Sequence, residues 1–160
     1  MTPAEFRTQM RPLVMAAHRL KKDAPVDRVL DKIEKKVYAC QSHANDRAKK
    51  AADKSGHPED YRPLTRDDVR QAFLLDYGRP CPFTGESMRA SNTELDHIDP
   101  LFSGGENTAR NIRLLSTRAN KIKENMSNAA THILFEALLQ MDADSQASVT
   151  RRLMSKPKWR

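Results

Sequence analysis

Between Leu95 and Asn125 the chain reads LDHIDPLFSGGENTARNIRLLSTRANKIKEN. Asp96 and His97 stand side by side, Gly104 and Gly105 mark a turn, and Asn111 and Asn120 follow at intervals. A carboxylate and an amide oxygen are hard donors that suit Mg2+, an ion that keeps several waters and accepts phosphate oxygens. An imidazole beside such an ion can take a proton from water near neutral pH. Lys121 and Lys123 flank Asn120 and offer positive charge to a phosphate. These parts fit phosphodiester hydrolysis. Taken singly, each has a plainer use: Asp96 as a turn residue, His97 as a polar residue at a strand end, Asn111 as a loop hydrogen bonder, and Asn120 as an exposed helix residue.

The bulk composition agrees with a polyanionic partner. The 160 residues carry 28 Lys and Arg against 21 Asp and Glu, a net charge of +7. A chain this basic suits nucleic acid, although a solvated basic surface has the same charge. Two cysteines, Cys40 and Cys81, exclude a disulfide framework. No apolar run approaches a membrane span, and the first residues lack the pattern of a signal peptide. The expectation is a cytosolic protein of a bacterial or phage-infected host cell.

The elements that must position the site follow from periodicity. Phe6, Met10, Leu13, Val14, Ala17 and Leu20 recur at helix spacing from about Thr2 to Lys22, with Pro12 expected to split or kink that helix. A second helix starts after Asp23-Ala24, with Pro25 in its first turn and a long stripe from Val26 through Val37 and Cys40 to Ala51. Thr65 and Asp68 form an acidic capping signal for a third helix, stopped by Gly78. Two short strands are expected over Glu94 to Ile98 and Asn111 to Leu115, and Ser116 caps a helix to about Asn125. Another helix follows from Asn128, then a last helix or tail ending in RRLMSKPKWR. The division is a helical region over 1–78, a core over 79–127, and a helix with a basic tail over 128–160.

A hairpin with a helix packed across it brings Asp96, His97, Asn111 and Asn120 near one another. One difficulty stands. Neighbouring strand residues point to opposite faces, so Asp96 and His97 share a site only if the strand ends, twists or bulges there. Pro100 close behind favours an early end.

Cys81-Pro82-Phe83-Thr84-Gly85, LDHIDP, SGGEN, RNIRLL and ANKIKEN, in that order and spacing, resemble the HNH nucleases, whose core is the ββα-metal finger. The resemblance covers about Cys81 to Ser127. It implies an α+β fold, mostly helical, with that finger flanked by N-terminal and C-terminal helices. It implies His97 as general base, Asp96 and Asn120 as the protein ligands of one Mg2+ or Mn2+ ion, and Asn111 as the residue that holds the loop. Lys123 falls where many members carry a basic residue near the scissile phosphate. Many members also hold a structural zinc with two Cys-x-x-Cys pairs. This chain has none, so packing must hold the hairpin, with Cys81, Phe83 and Leu95 in its core.

The implied function is metal-dependent endonucleolytic hydrolysis of DNA, double-stranded, with no membrane partner. Arg118, Lys121 and Lys123 of the finger and Arg151, Arg152 and the rest of the tail, Trp159 included, would meet the DNA. One finger cuts one strand, so a double-strand break requires a homodimer or two successive nicks. The reading from a different class is a DNA-binding or assembly module that keeps the finger and does not cut. Cys40 with His43 could form half of a metal site with Cys81, but Cys40 is in phase with the apolar stripe, which favours a buried thiol.

Overall fold

The computed structural model describes residues 1–155; Lys156, Lys158, Trp159 and Arg160, assigned to DNA above, lie outside the described residues. Helix α1 spans Pro3–His18, opened by a capping box between Thr2 and Glu5. It runs on through Pro12 rather than splitting there. The reason is position: Pro12 and Thr8 both lie on the exposed face, so the Thr8 carbonyl that loses its donor faces water. Arg19, left-handed at φ 52°, ends the helix short of Lys22.

Helix α2 spans Asp23–Ser55, about 50 Å at 1.5 Å per residue. Its stripe is buried at Val26, Leu30, Ile33, Val37, Cys40, Ala44 and Ala48, and Gly56 stops it in the left-handed region at φ 81°. Helix α3, Arg66–Asp76, carries the Thr65–Asp68 capping box expected from sequence. Strands β1, Thr93–His97, and β2, Ile112–Ser116, form a two-stranded antiparallel sheet with Asp96 opposite Arg113 and His97 opposite Ile112. Ser116 then caps α4, Thr117–Lys123, by accepting from the Ala119 N–H at 3.2 Å. Helices α5, Asn128–Leu139, and α6, Ala143–Met154, complete the described chain. The molecule is mostly helical with one small sheet, and no described helix is long and apolar enough to cross a membrane.

The three stretches divided by sequence share one core. Phe6 and Met10 of α1, Leu30 and Ile33 of α2, Phe73 of α3, Leu95, Leu114 and Leu115 of the sheet, and Phe135 of α5 belong to a single cluster of buried side chains. Cys81, Phe83 and Leu95, expected in the core of the hairpin, are buried in it. Phe83 stacks on Phe135 with centroids 5.1 Å apart, which ties α5 to the turn that precedes β1. So the hairpin packs against α2, α3 and α4, and Arg113 of β2 reaches Asn128 at the start of α5.

The loop between the strands is held by Asn111. Its Oδ1 accepts from the Asp99 N–H at 2.8 Å, and its Nδ2 donates to the carbonyls of Asp99 at 3.0 Å and Glu106 at 2.7 Å. Gly105 presses against the same peptide: a Cβ there would stand 2.1 Å from the Asp99 carbonyl oxygen. Gly105→Ala should therefore destabilise the fold by about 1–3 kcal/mol, the range for overpacking a tight site. Urea denaturation reads this directly, and an unchanged midpoint would show that the loop relaxes without cost.

Candidate active site

Strand β1 stays regular through His97, so its side chains alternate. Glu94 and Asp96 leave one face, toward α4; His97 leaves the other. The strand ends at His97, three residues before Pro100, as expected, but the ladder stays regular to the His97–Ile112 pair and no bulge turns His97 toward the face of Asp96.

Asp96 is 3% exposed. A carboxylate so placed must be paired to stay ionised. Lys123 Nζ, 1% exposed, meets Asp96 Oδ1 at 3.0 Å and also donates to the His97 carbonyl at 2.8 Å. Arg113, directly opposite on β2, brings Nε to 3.4 Å from Asp96 Oδ2. Its guanidinium lies 4.9 Å from the Phe83 ring centroid and donates to Asn128 at 2.8 Å. Lys123 is thus the buried counter-charge of Asp96. It is not on the surface, where the sequence reading set it against the scissile phosphate.

Asn120 lies one turn before Lys123 on the same side of α4, and its Nδ2 donates to Glu94 Oε2 at 2.5 Å. Glu94–Asn120 and Asp96–Lys123 are adjacent rungs between β1 and α4. With its nitrogen committed to Glu94, Asn120 Oδ1 has no hydrogen-bond partner among the described residues and can serve as a ligand atom. Glu94 and Asn120 offer oxygens that suit a hard divalent ion that keeps waters, whereas both Asp96 oxygens are engaged by Lys123 and Arg113. Among the described residues no group of three or more His, Cys, Asp and Glu side chains could hold a metal; the pair here includes an amide. Cys40 and Cys81 are both buried free thiols.

His97 is 4% exposed, and a chain of amides fixes its proton. Asn45 on α2 pairs with the backbone of Leu64: its Oδ1 accepts from the Leu64 N–H at 2.8 Å and its Nδ2 donates to the Leu64 carbonyl at 3.0 Å. That orientation turns Asn45 Oδ1 to Asn107 Nδ2, 3.0 Å away. Asn107 Nδ2 also donates to the Arg62 carbonyl at 2.7 Å, so Asn107 presents its oxygen to His97 Nε2 at 2.9 Å. The ring must therefore donate from Nε2, which leaves the lone pair of the neutral ring on Nδ1. Nδ1 has no hydrogen-bond partner among the described residues. It is also not one of the unpartnered side-chain atoms sealed from water, which are Glu34 Oε1, Arg70 Nε and Thr93 Oγ1. Burial holds the His97 pKa below its ordinary value; the Asn107 bond and Asp96 oppose this, while Arg47 and Lys123 add to it.

Other assigned residues lie apart from this centre. Arg118 pairs with Glu86 at 3.3 Å. Lys121, Arg151 and Arg152 are exposed, and Arg118 and Arg151 line a separate apolar cavity between α4, α5 and α6. Sequence reasoning missed Glu94, Asn107, Arg113 and Asn45. Glu94 was open to discovery, since it lies two residues before Asp96 and so on the same strand face. Asn45 left no local signal, because its partner Asn107 is 62 residues away.

Two outcomes follow. Lys123→Met strands the Asp96 carboxylate, and breaking a buried pair costs about 3–5 kcal/mol, less here because Arg113 remains. Pairing it with Asp96→Asn should restore much of that loss in urea melts; a double variant no more stable than the single one would contradict the pairing. The His97 shift predicts a pH effect. As pH falls through the ordinary His value near 6.5, the unfolded ring takes a proton that the folded ring resists, so stability drops. The loss runs from there down to the lowered folded value. His97→Gln should flatten that part of the stability–pH curve, measured in EDTA; an identical curve would remove His97 from the linkage.

Compared with protein-family models, curated proteins and solved structures, the chain matches none.

Proposed function

We propose that this chain is a metal-dependent endonuclease of the HNH type, hydrolysing phosphodiester bonds in DNA. The observation that carries the reading is the state of His97: Nε2–H is committed to Asn107, which leaves the Nδ1 lone pair without a hydrogen-bond partner among the described residues. The strand–loop–strand–helix order, with Asn111 clamping the loop, supports it.

In this mechanism His97 Nδ1 takes a proton from a water molecule as the water oxygen bonds to phosphorus and the ester oxygen leaves. Asn107 Oδ1 holds the Nε2–H and steadies the imidazolium that forms. Asp96 and Asn120 would hold one Mg2+ or Mn2+ ion, with Glu94 positioning Asn120. A bound ion of this kind supplies electrostatic stabilisation for charge developing on the phosphate and the leaving oxygen. Lys123 and Arg113 keep Asp96 ionised in its buried place.

A second reading, a DNA-binding or assembly module that does not cut, draws on one observation: cationic side chains already engage both oxygens of Asp96.

Supercoiled plasmid with Mg2+ or Mn2+ separates the two. Nicking that EDTA abolishes is expected, and His97→Ala should lower it by about 10²–10⁴-fold, the usual worth of a general base. Asn120→Ala should raise the Mg2+ concentration needed for half-maximal nicking. No nicking with either ion would favour the non-cutting module, and wild-type rates in a folded His97→Ala protein would remove the proposed base.

A further inference from the structure

A groove of about 460 Å³ lies between α2 and the strand–helix interface, and Glu94 and Asn120 open into it. From α2 it is lined by Lys36, His43, Arg47 and Lys50. At about 100° per residue these four fall within an arc of about 60° on the helix. Asp23, Asp27, Asp31 and Glu34 fall about opposite, on the other flank of the apolar stripe. The acids are paired: Asp23, Asp27 and Asp31 with Arg7 or Arg11 of α1, and Glu34 with Arg70 of α3. Among the described residues Lys36, Arg47 and Lys50 make no salt bridge; Arg47 only donates to the Leu95 carbonyl at 3.4 Å. Asp46 also borders the groove, so its wall is not purely basic.

One helix therefore sorts its charge. The acids of its first half, Asp23, Asp27, Asp31 and Glu34, take intramolecular partners, while Lys36, Arg47 and Lys50 stay unpaired among the described residues on the side where Glu94 and Asn120 open. From Lys36 to Lys50 is about 21 Å of helix, the rise of about six nucleotides along one strand. We infer that this face of α2 is the track for the phosphate backbone of duplex DNA, with Lys36, Arg47 and Lys50 neutralising phosphates and His43 donating a hydrogen bond. The inference rests on the proposed function and adds to it the surface that leads the strand to Asn120. It shifts the main DNA contact away from Arg118 and Arg151.

The test is anisotropy titration of a fluorescein-labelled duplex about 25 base pairs long, in EDTA and at several salt concentrations, with plasmid nicking measured separately. Each neutralised phosphate contributes about 0.9 to the slope of log affinity against log salt. Lys36→Gln/Lys50→Gln should make the slope shallower by about 2, and adding Arg47→Gln by about 3. The double variant leaves the Leu95 contact intact, so it decides the matter even where the triple one fails to fold. An unchanged slope in the folded double variant overturns the inference, as does a loss confined to Arg118→Gln/Arg151→Gln. If the wild type nicks plasmid while the groove variants keep the wild-type slope, the hydrolase reading survives and the track does not. If the groove variants lose the slope while the wild type never nicks, the track stands and the hydrolase reading fails.

Discussion

The carboxylate of Asp96 cannot be left alone where it sits. Buried as it is, it needs cations at short range, and two elements supply them. Arg113 comes from the opposing strand, so the pair holds the hairpin in register at that rung. Lys123 comes from the last turn of α4, so the pair also sets where the helix lies across the sheet. Asn120, one turn earlier, falls against Glu94 as a consequence. A single desolvated charge thus orders the strand pairing, the helix position and the presentation of a second oxygen donor. Lys123 adds a bond to the His97 carbonyl, which links the two faces of β1 through its backbone.

Legibility in the sequence followed the range of the interaction. The α2 stripe, the Thr65–Asp68 box and the Ser116 cap are local patterns, and each appears where the periodicity put it. Pro12 misled because a proline's effect depends on whether its orphaned carbonyl meets water, which the one-dimensional pattern does not state. Lys123 misled for a related reason. A lysine next to a candidate ligand reads as a phosphate binder, yet Ala119, Ile122 and Lys123 share the buried side of α4, and that phase was available in the sequence. Asn107 sat inside a motif with no assigned role, because its partners Asn45 and Arg62 come from far upstream.

The same distance explains why α2 matters more than its helical character suggested. Its stripe builds the core, Asn45 reaches the site and Arg47 borders β1. A hairpin this small buries little of its own apolar surface and cannot stand without such support. Here the support is packing from helices before and after it.

The Leu64–Asn45–Asn107–His97 chain begins at a peptide group, and a peptide neither titrates nor flips within an intact fold. The address of one proton on the imidazole is therefore set by main-chain geometry, not by solvent. Were α2 to slide against the hairpin by more than a hydrogen bond tolerates, the amides would lose their enforced orientation and the ring its preferred tautomer. In that sense the imidazole reports the seating of a helix about 50 Å long: the position of α2 is recorded as basicity at a single nitrogen of His97.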